Sequence, residues 1–310
     1  MTLAVIVLAH QGPTQMALLL SALNHPAVRL YLHVDSGGDL ASFRAELLAH
    51  GLGGVVLLPR FRSRWGGIEV VDATLAGLQR ALVDGCDYCV VLSGQDLPLW
   101  SVEQIVSFFA ETPDRSYLES FPLPTAHWRY EGRLRTDFYT YTVLGRRETC
   151  IPAGVEASFT WKGWALNSLL RLRGVFQPPR HFPTCATAFG GPQWLNLSRS
   201  ATEFVLRFVE QHPEYRAYHE HTLLPDEIFF HSLLVGTDFA DHHEIVNDAL
   251  RFMIWAPGAD HPRMLGPEDV SAMRASGKPF ARKVDLERHP ELLEQLATAS
   301  VDAAPHGRAR

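Results

Sequence analysis

The chain has 310 residues, 46% of them hydrophobic and 20% charged, with a formal net charge of −6 and a pI of about 6.2. That suffices for a large core in one domain or two closely joined lobes, and the acidic balance excludes a general nucleic-acid binder. Four cysteines, Cys86, Cys89, Cys150 and Cys185, are too few for a disulfide scaffold of this length, and no apolar run approaches the roughly 18 residues of a membrane span.

The N-terminal ten residues are apolar, lack a basic leading region and end at Gln11-Gly12-Pro13. They read as a buried first strand over 4–8, not a signal peptide, which predicts a cytoplasmic protein with at most a peripheral membrane contact. Helical periodicity follows over 13–23, with Pro13 tolerated in the first turn. A strand is predicted over 30–34, a helix over 40–50 and a strand over 54–58. Ile68, Val71, Leu75, Leu78 and Leu82 fall at helical spacing. Residues 88–92 predict a fourth strand, and Ser101 with Gln104 forms a capping box for a helix reaching Phe109. Repeated strand–helix units predict an α/β fold with a mostly parallel, doubly wound sheet, whose ligands sit at the carboxyl ends of the strands. Those ends are polar: His33-Val34-Asp35-Ser36-Gly37-Gly38, then Ser93-Gly94-Gln95-Asp96, with Arg60, Arg62 and Arg64 ahead of Trp65-Gly66-Gly67. Any one of them reads as a turn, but their common edge predicts a pocket. Cys86 and Cys89 have redox-motif spacing but lead into Val90-Val91-Leu92, which points to burial.

Residues 120–180 are less regular and rich in aromatics and cations, among them His127, Trp128, Arg135, Tyr139, Tyr141, Trp161, Lys162 and Trp164. This composition fits sugar stacking and equally a small satellite core. A strand is predicted over 184–189, then a helix capped by Ser198, and a frayed tail from 298 to 310. The predicted organisation is one domain over 1–297, with a nucleotide-binding half (1–115) and an acceptor and catalytic half (116–297).

Near the C-terminus an acid–base division emerges. Leu224-Pro225-Asp226-Glu227-Ile228-Phe229-Phe230 reads as a helix start with two carboxylates in its first turn. Helix punctuation accounts for Asp226 but less specifically for Glu227, and a helix start gives a catalytic base a rigid support. Phe280-Ala281-Arg282-Lys283-Val284 sets two cations between apolar residues; an inward-facing one needs an anion, either a ligand diphosphate or a structural carboxylate. Arg263 is a further candidate anion partner. His219-Glu220-His221 and His242-His243-Glu244 lack metal-ligand spacing. There is no G-x-G-x-x-G, Walker A or G-x-S-x-G sequence.

In this order, His33-Val34-Asp35, Trp65-Gly66-Gly67, Leu92-Ser93-Gly94-Gln95-Asp96-Leu97-Pro98-Leu99, Gly190-Gly191-Pro192-Gln193-Trp194, Pro225-Asp226-Glu227 and Phe280-Ala281-Arg282-Lys283 make a specific set. The chain resembles the core-2/I-branching β-1,6-N-acetylglucosaminyltransferase family, which includes peptide O-xylosyltransferases. The resemblance implies a GT-A-type fold and inverting transfer of N-acetylglucosamine or xylose from a UDP-sugar, with no metal cofactor. By position, Glu227 is the general base, and Lys283 and Arg263 hold the diphosphate beside Arg282. Asp35 faces the uracil, with His33 and Arg64 on the same edge, and Ser93, Gln95 and Asp96 lie near ribose and donor sugar. Trp194, Asp226 and Trp128 fall on the acceptor side, where a glycan, peptide or lipid-linked hydroxyl is expected. No anchor, stem or rich cysteine set is present, which fits a bacterial cytosolic member. Two other readings stand beside this one: a silent glycan- or nucleotide-binding relative, and a metal-dependent hydrolase using the histidine clusters.

Overall fold

The computed structural model describes residues 1–63, 65–126, 128–143, 146–150, 168, 180–256 and 261–298. Arg64, His127, Trp161, Lys162, Trp164 and the tail beyond Thr298 lie outside the described residues. The first half alternates strands and helices: β1 (Leu3–Ala9), α1 (Pro13–Ala22), β2 (Val28–Val34), α2 (Leu40–Ala49), β3 (Val56–Leu57), α3 (Glu69–Val83), β4 (Tyr88–Ser93), the short β5 (Asp96–Pro98) and α4 (Val102–Glu111). β1 lies between β2 and β4, parallel to both, and β2 pairs in parallel with β3. The sheet is extended past β4 by β11 (Asn196–Ser198), which runs antiparallel to it, then by β6 (Ser116–Tyr117) and β12 (Ile245–Val246). The sheet is therefore mixed and mostly parallel, as expected for the α/β class.

The two-residue period of the strands divides the core. Leu3, Val5, Val7, Tyr88, Val90 and Leu92 pack with Met16, Leu20, Phe43 and Phe109 of α1, α2 and α4. Ala4, Ile6, Cys89 and Val91 face the other way, onto Val71 and Leu78 of α3 and Val205 of α6 (Arg199–Gln211). Both faces being covered explains why β1 and β4 read as continuous apolar runs. Cys86 and Cys89 are free and buried, and burial pushes the Cys89 thiol up to about 12. Ser101 and Gln104 make the predicted capping box.

Two local expectations are corrected. Residues 184–188 form no strand: Pro183 starts a turn closed by Ala186 N–H on its carbonyl, and only β10 (Phe189–Gly190) pairs, with β7 (Phe121–Pro122). The apolar content there packs against the core from a loop. The carboxylates at 226 and 227 lie on a separate 3-10 turn, Pro225–Glu227, ahead of α8 (Phe229–Val235). Leu224 at φ 50° enters that turn from the left-handed region and Ile228 at φ −135° breaks it from the helix.

Candidate active site

Three segments meet at the carboxyl end of the sheet. After β2, Asp35 is largely buried and accepts the amides of Gly37 (2.7 Å) and Ser63 (2.5 Å). Burial alone would raise its pKa, but these amide bonds outweigh it and hold the carboxyl below its usual range. Arg60 clamps the same turn, donating to the carbonyls of Val34, Asp35 and Gly38. His33 is buried, stacks on Phe61, and accepts the Phe61 amide at Nε2. Burial lowers its pKa and leaves the ring neutral. It braces the 60–63 segment that carries the Ser63 amide.

After β4, Ser93 N–H donates to Asp96 Oδ2 at 2.9 Å, and Gln95 N–H donates to Ser93 Oγ at 3.1 Å. Asp96 is fully buried because two cations meet it: Arg282 at 3.1 Å and Arg251 at 3.8 Å. Arg282, on β14 (Phe280–Arg282), also donates to Ser93 Oγ and stacks over the buried Trp194 ring at 4.2 Å. Arg251 reaches the Val91 and Ala249 carbonyls from β13 (Arg251–Phe252), and burial lowers its pKa to about 10. Arg282 therefore has a structural carboxylate, Asp96, as a counter-charge. Lys283 is half-buried, and its ammonium has no hydrogen bond or ion pair among the described residues. Burial, then the charge of Arg282, lowers its pKa. His10, at the end of β1, has its pKa lowered by desolvation and by Lys283 and Arg282, against the pull of Asp35, so these four groups share one electrostatic neighbourhood. Gln15 on α1 fixes the strand ends, donating to the Gly94 and Val284 carbonyls at 2.9 Å each and accepting the Leu286 amide.

The third segment carries the acid. Leu224 N–H binds the Gly66 carbonyl, tying the Trp65-Gly66-Gly67 turn to the 3-10 turn, and Gly191 N–H binds the Glu227 carbonyl at 2.9 Å. Asp226 is buried and Glu227 half-buried. Desolvation raises both pKa values; the Glu227 charge adds to the rise at Asp226, whereas Arg135 opposes it at Glu227. Arg135 Nη2 donates to Glu227 Oε2, and its guanidinium lies 3.8 Å over the Trp128 ring. Trp128 in turn packs edge-on against Phe121. A Cβ on Gly190 would lie 2.4 Å from Trp128 Cη2, so the glycine is what lets the ring approach. Arg180 is buried, stacked on Tyr218, and donates to the Arg135 and Phe138 carbonyls, holding the segment that delivers Arg135.

Arg263 precedes Leu265, whose amide donates to the Lys283 carbonyl at 2.8 Å, and both its terminal nitrogens are on Asp269. The histidine pairs do not converge. His219 is enclosed by Tyr215, Tyr218, Phe182 and Phe229, and burial holds its pKa well below the usual value. Neither pair enters a group of metal-ligating side chains among the described residues. Gln15, Arg180 and Arg251 have no role in the sequence expectations, where Arg60 appears only on the polar strand edge and Arg135 only in the aromatic and cationic 120–180 region. Arg251 had a signal, since it sits between Leu250 and Phe252 much as Arg282 sits among apolar neighbours.

A protein-family profile described as Core-2/I-Branching enzyme matches residues 3–275. The chain is 25% identical over 307 residues to xylosyltransferase 2 of Homo sapiens, covering 91% of this chain and 31% of that one. It is 23% identical over 319 residues to xylosyltransferase 1 of Canis lupus familiaris, covering 94% and 30%. It thus spans about a third of the length of these relatives. The crystal structure of mannose-1-phosphate geranyltransferase from Thermus thermophilus superposes with a TM-score of 0.30 at 15% identity over 76% of this chain and 68% of that one, too low to carry an argument.

Proposed function

Since the chain belongs to the Core-2/I-Branching enzyme family, we propose that it is an inverting glycosyltransferase that moves a sugar from a UDP-sugar to an acceptor hydroxyl, with Glu227 as general base. The observation that carries this reading is the carboxyl pair Asp226–Glu227, desolvated, raised in pKa, and held by Arg135 on a rigid turn tied to the Trp65-Gly66-Gly67 loop. A base poised nearer neutrality is suited to general-base work.

In this mechanism the acceptor O–H gives its proton to Glu227 as its oxygen attacks the anomeric carbon, and the bond to the UDP oxygen breaks on the opposite face. The leaving diphosphate gains charge, and Lys283 is the cation available to meet it. Arg263 is the second cation of the proposal and would exchange Asp269 for phosphate oxygens. Arg282 acts indirectly, by fixing Ser93, Asp96 and Trp194. Asp35, its carboxylate fixed by the Gly37 and Ser63 amides, suits the uracil end, with His33 bracing the 60–63 segment and Arg64 next in sequence. Gln95 lies toward the donor sugar, while Trp128 and Asp226 border the acceptor. No divalent metal is called for, because the chain's own cations neutralise the diphosphate. The xylosyltransferase relatives favour xylose as the sugar, with N-acetylglucosamine the other family donor.

Glu227→Gln should retain UDP-sugar binding by calorimetry and lose about 10²- to 10⁴-fold in transfer, the usual worth of a general base. Near-normal turnover would remove Glu227 from that role.

A further inference from the structure

Cys185, His212 and Glu214 come together away from the carboxyl pair and the strand-end cations. Their ligand atoms (a thiol sulfur, a ring nitrogen and a carboxylate oxygen) all lie within 4.8 Å of one another. Each is carried by a braced element. Cys185 sits in the turn closed by Ala186 N–H on Pro183 O, with its side chain packed on the core. His212 is the joint between α6 (Arg199–Gln211) and α7 (Pro213–His219); its amide is bonded to Phe208 O and its ring lies 4.4 Å from the Phe208 ring. Glu214 is in the first turn of α7 and meets His212 Nδ1 at 3.0 Å.

From this convergence we infer that Cys185, His212 and Glu214 form a zinc site that staples the 180–188 loop to the α6–α7 corner. The donor set selects the ion. A thiolate and an imidazole suit Zn²⁺, whereas Mg²⁺ and Ca²⁺ take oxygen ligands. Bonds of about 2.0–2.3 Å in a tetrahedron separate ligand atoms by roughly 3.3–3.8 Å, so the three atoms, already within 4.8 Å of one another, need only a small approach to hold the ion. Water takes the fourth position, and binding releases the Cys185 thiol proton to solvent. The staple has a structural consequence for the catalytic half. Arg180 opens the same loop and holds the Arg135 and Phe138 carbonyls, so fixing the loop fixes the support of Arg135. The site shares no residue with the proposed diphosphate and base groups and takes no part in the chemistry.

The test is titration of the untagged, chelator-treated chain with Co²⁺ and Zn²⁺, alongside Cys185→Ser and His212→Ala variants. The wild type should show a thiolate-to-cobalt charge-transfer band that one equivalent of Zn²⁺ abolishes, and zinc should raise its melting temperature. Both variants should lack the band and the thermal shift while still melting cooperatively. Absence of the band in wild type, or its survival in Cys185→Ser, would overturn the site. UDP release, read separately at a temperature where the stripped chain stays folded, should persist in both variants, which separates failure of the zinc site from failure of the transferase reading.

Discussion

At the scale of single residues, the site is a set of charges whose partners decide their use. Arg282 is paired with Asp96 and Arg135 with Glu227, whereas the half-buried Lys283 has no hydrogen bond or ion pair among the described residues. A charge-assisted hydrogen bond is worth about 1.5–3 kcal/mol, so Lys283→Ala should weaken UDP binding by roughly 10- to 100-fold in calorimetry; unchanged affinity would take Lys283 off the diphosphate. Glu227 must be ionised to act and its pKa is raised by burial. The acid limb of kcat/KM should therefore lie above the ordinary carboxylate range, with activity growing as pH rises through it. Arg135 opposes that rise, so Arg135→Ala should move the limb to still higher pH and Arg135→Lys should largely restore it. A purely structural loss would lower kcat without moving the limb. Asp226, raised by burial and by its neighbour's charge, gives a stability term of definite sign: it is fully present below the ordinary carboxylate range and lost as pH rises through the raised value. Thermal melts of Asp226→Asn against wild type across that interval should show the wild type losing relative stability as pH increases. The carboxylates were legible as residues because their motif is local. The arginine that meets Glu227 was not: Arg135 comes from a distant segment, and nothing in its own neighbours marks the carboxylate it will meet.

At the scale of elements, the same divide between local and distant determinants appears. β1, α1, β2, α2, α3, β4 and α4 could be read because each is marked by its own apolar pattern or by local punctuation such as Pro13 and the Ser101 capping box, and their alternation implies a mostly parallel sheet. The turn at 225–227 could not, since a leucine at positive φ leaves no signature of its own. Nor could the 183–188 loop, whose apolar residues imitate a strand but pack on the core without pairing. Gly190 shows how a short element serves the site. Gly190→Ala forces Trp128 and the Arg135 guanidinium stacked on it to shift. Overpacking of this kind costs about 1–3 kcal/mol, to be read in urea denaturation, and should disturb the pH limb set by Arg135. A variant as stable and as active as wild type would mean that the Trp128–Arg135 stack is dispensable.

At the scale of the molecule, a doubly covered sheet presents Asp35 and the Ser93–Asp96 segment at its strand ends, while the later half supplies Glu227, with Arg135 on it, and Arg282 and Lys283 at the end of β14. Among the described residues, no helix is long and apolar enough to cross a membrane. The chain belongs to the Core-2/I-Branching enzyme family and spans about a third of the length of the xylosyltransferases it matches. The account's central claim, transfer from a UDP-sugar without a catalytic metal, is tested most directly by UDP release over a panel of UDP-sugars with and without EDTA. The assay needs no acceptor, since water can replace it slowly. The account predicts release from one donor, resistant to EDTA and reduced in Lys283→Ala. Abolition by EDTA with recovery on adding a divalent ion at constant fold, or no release together with no UDP binding, would contradict it.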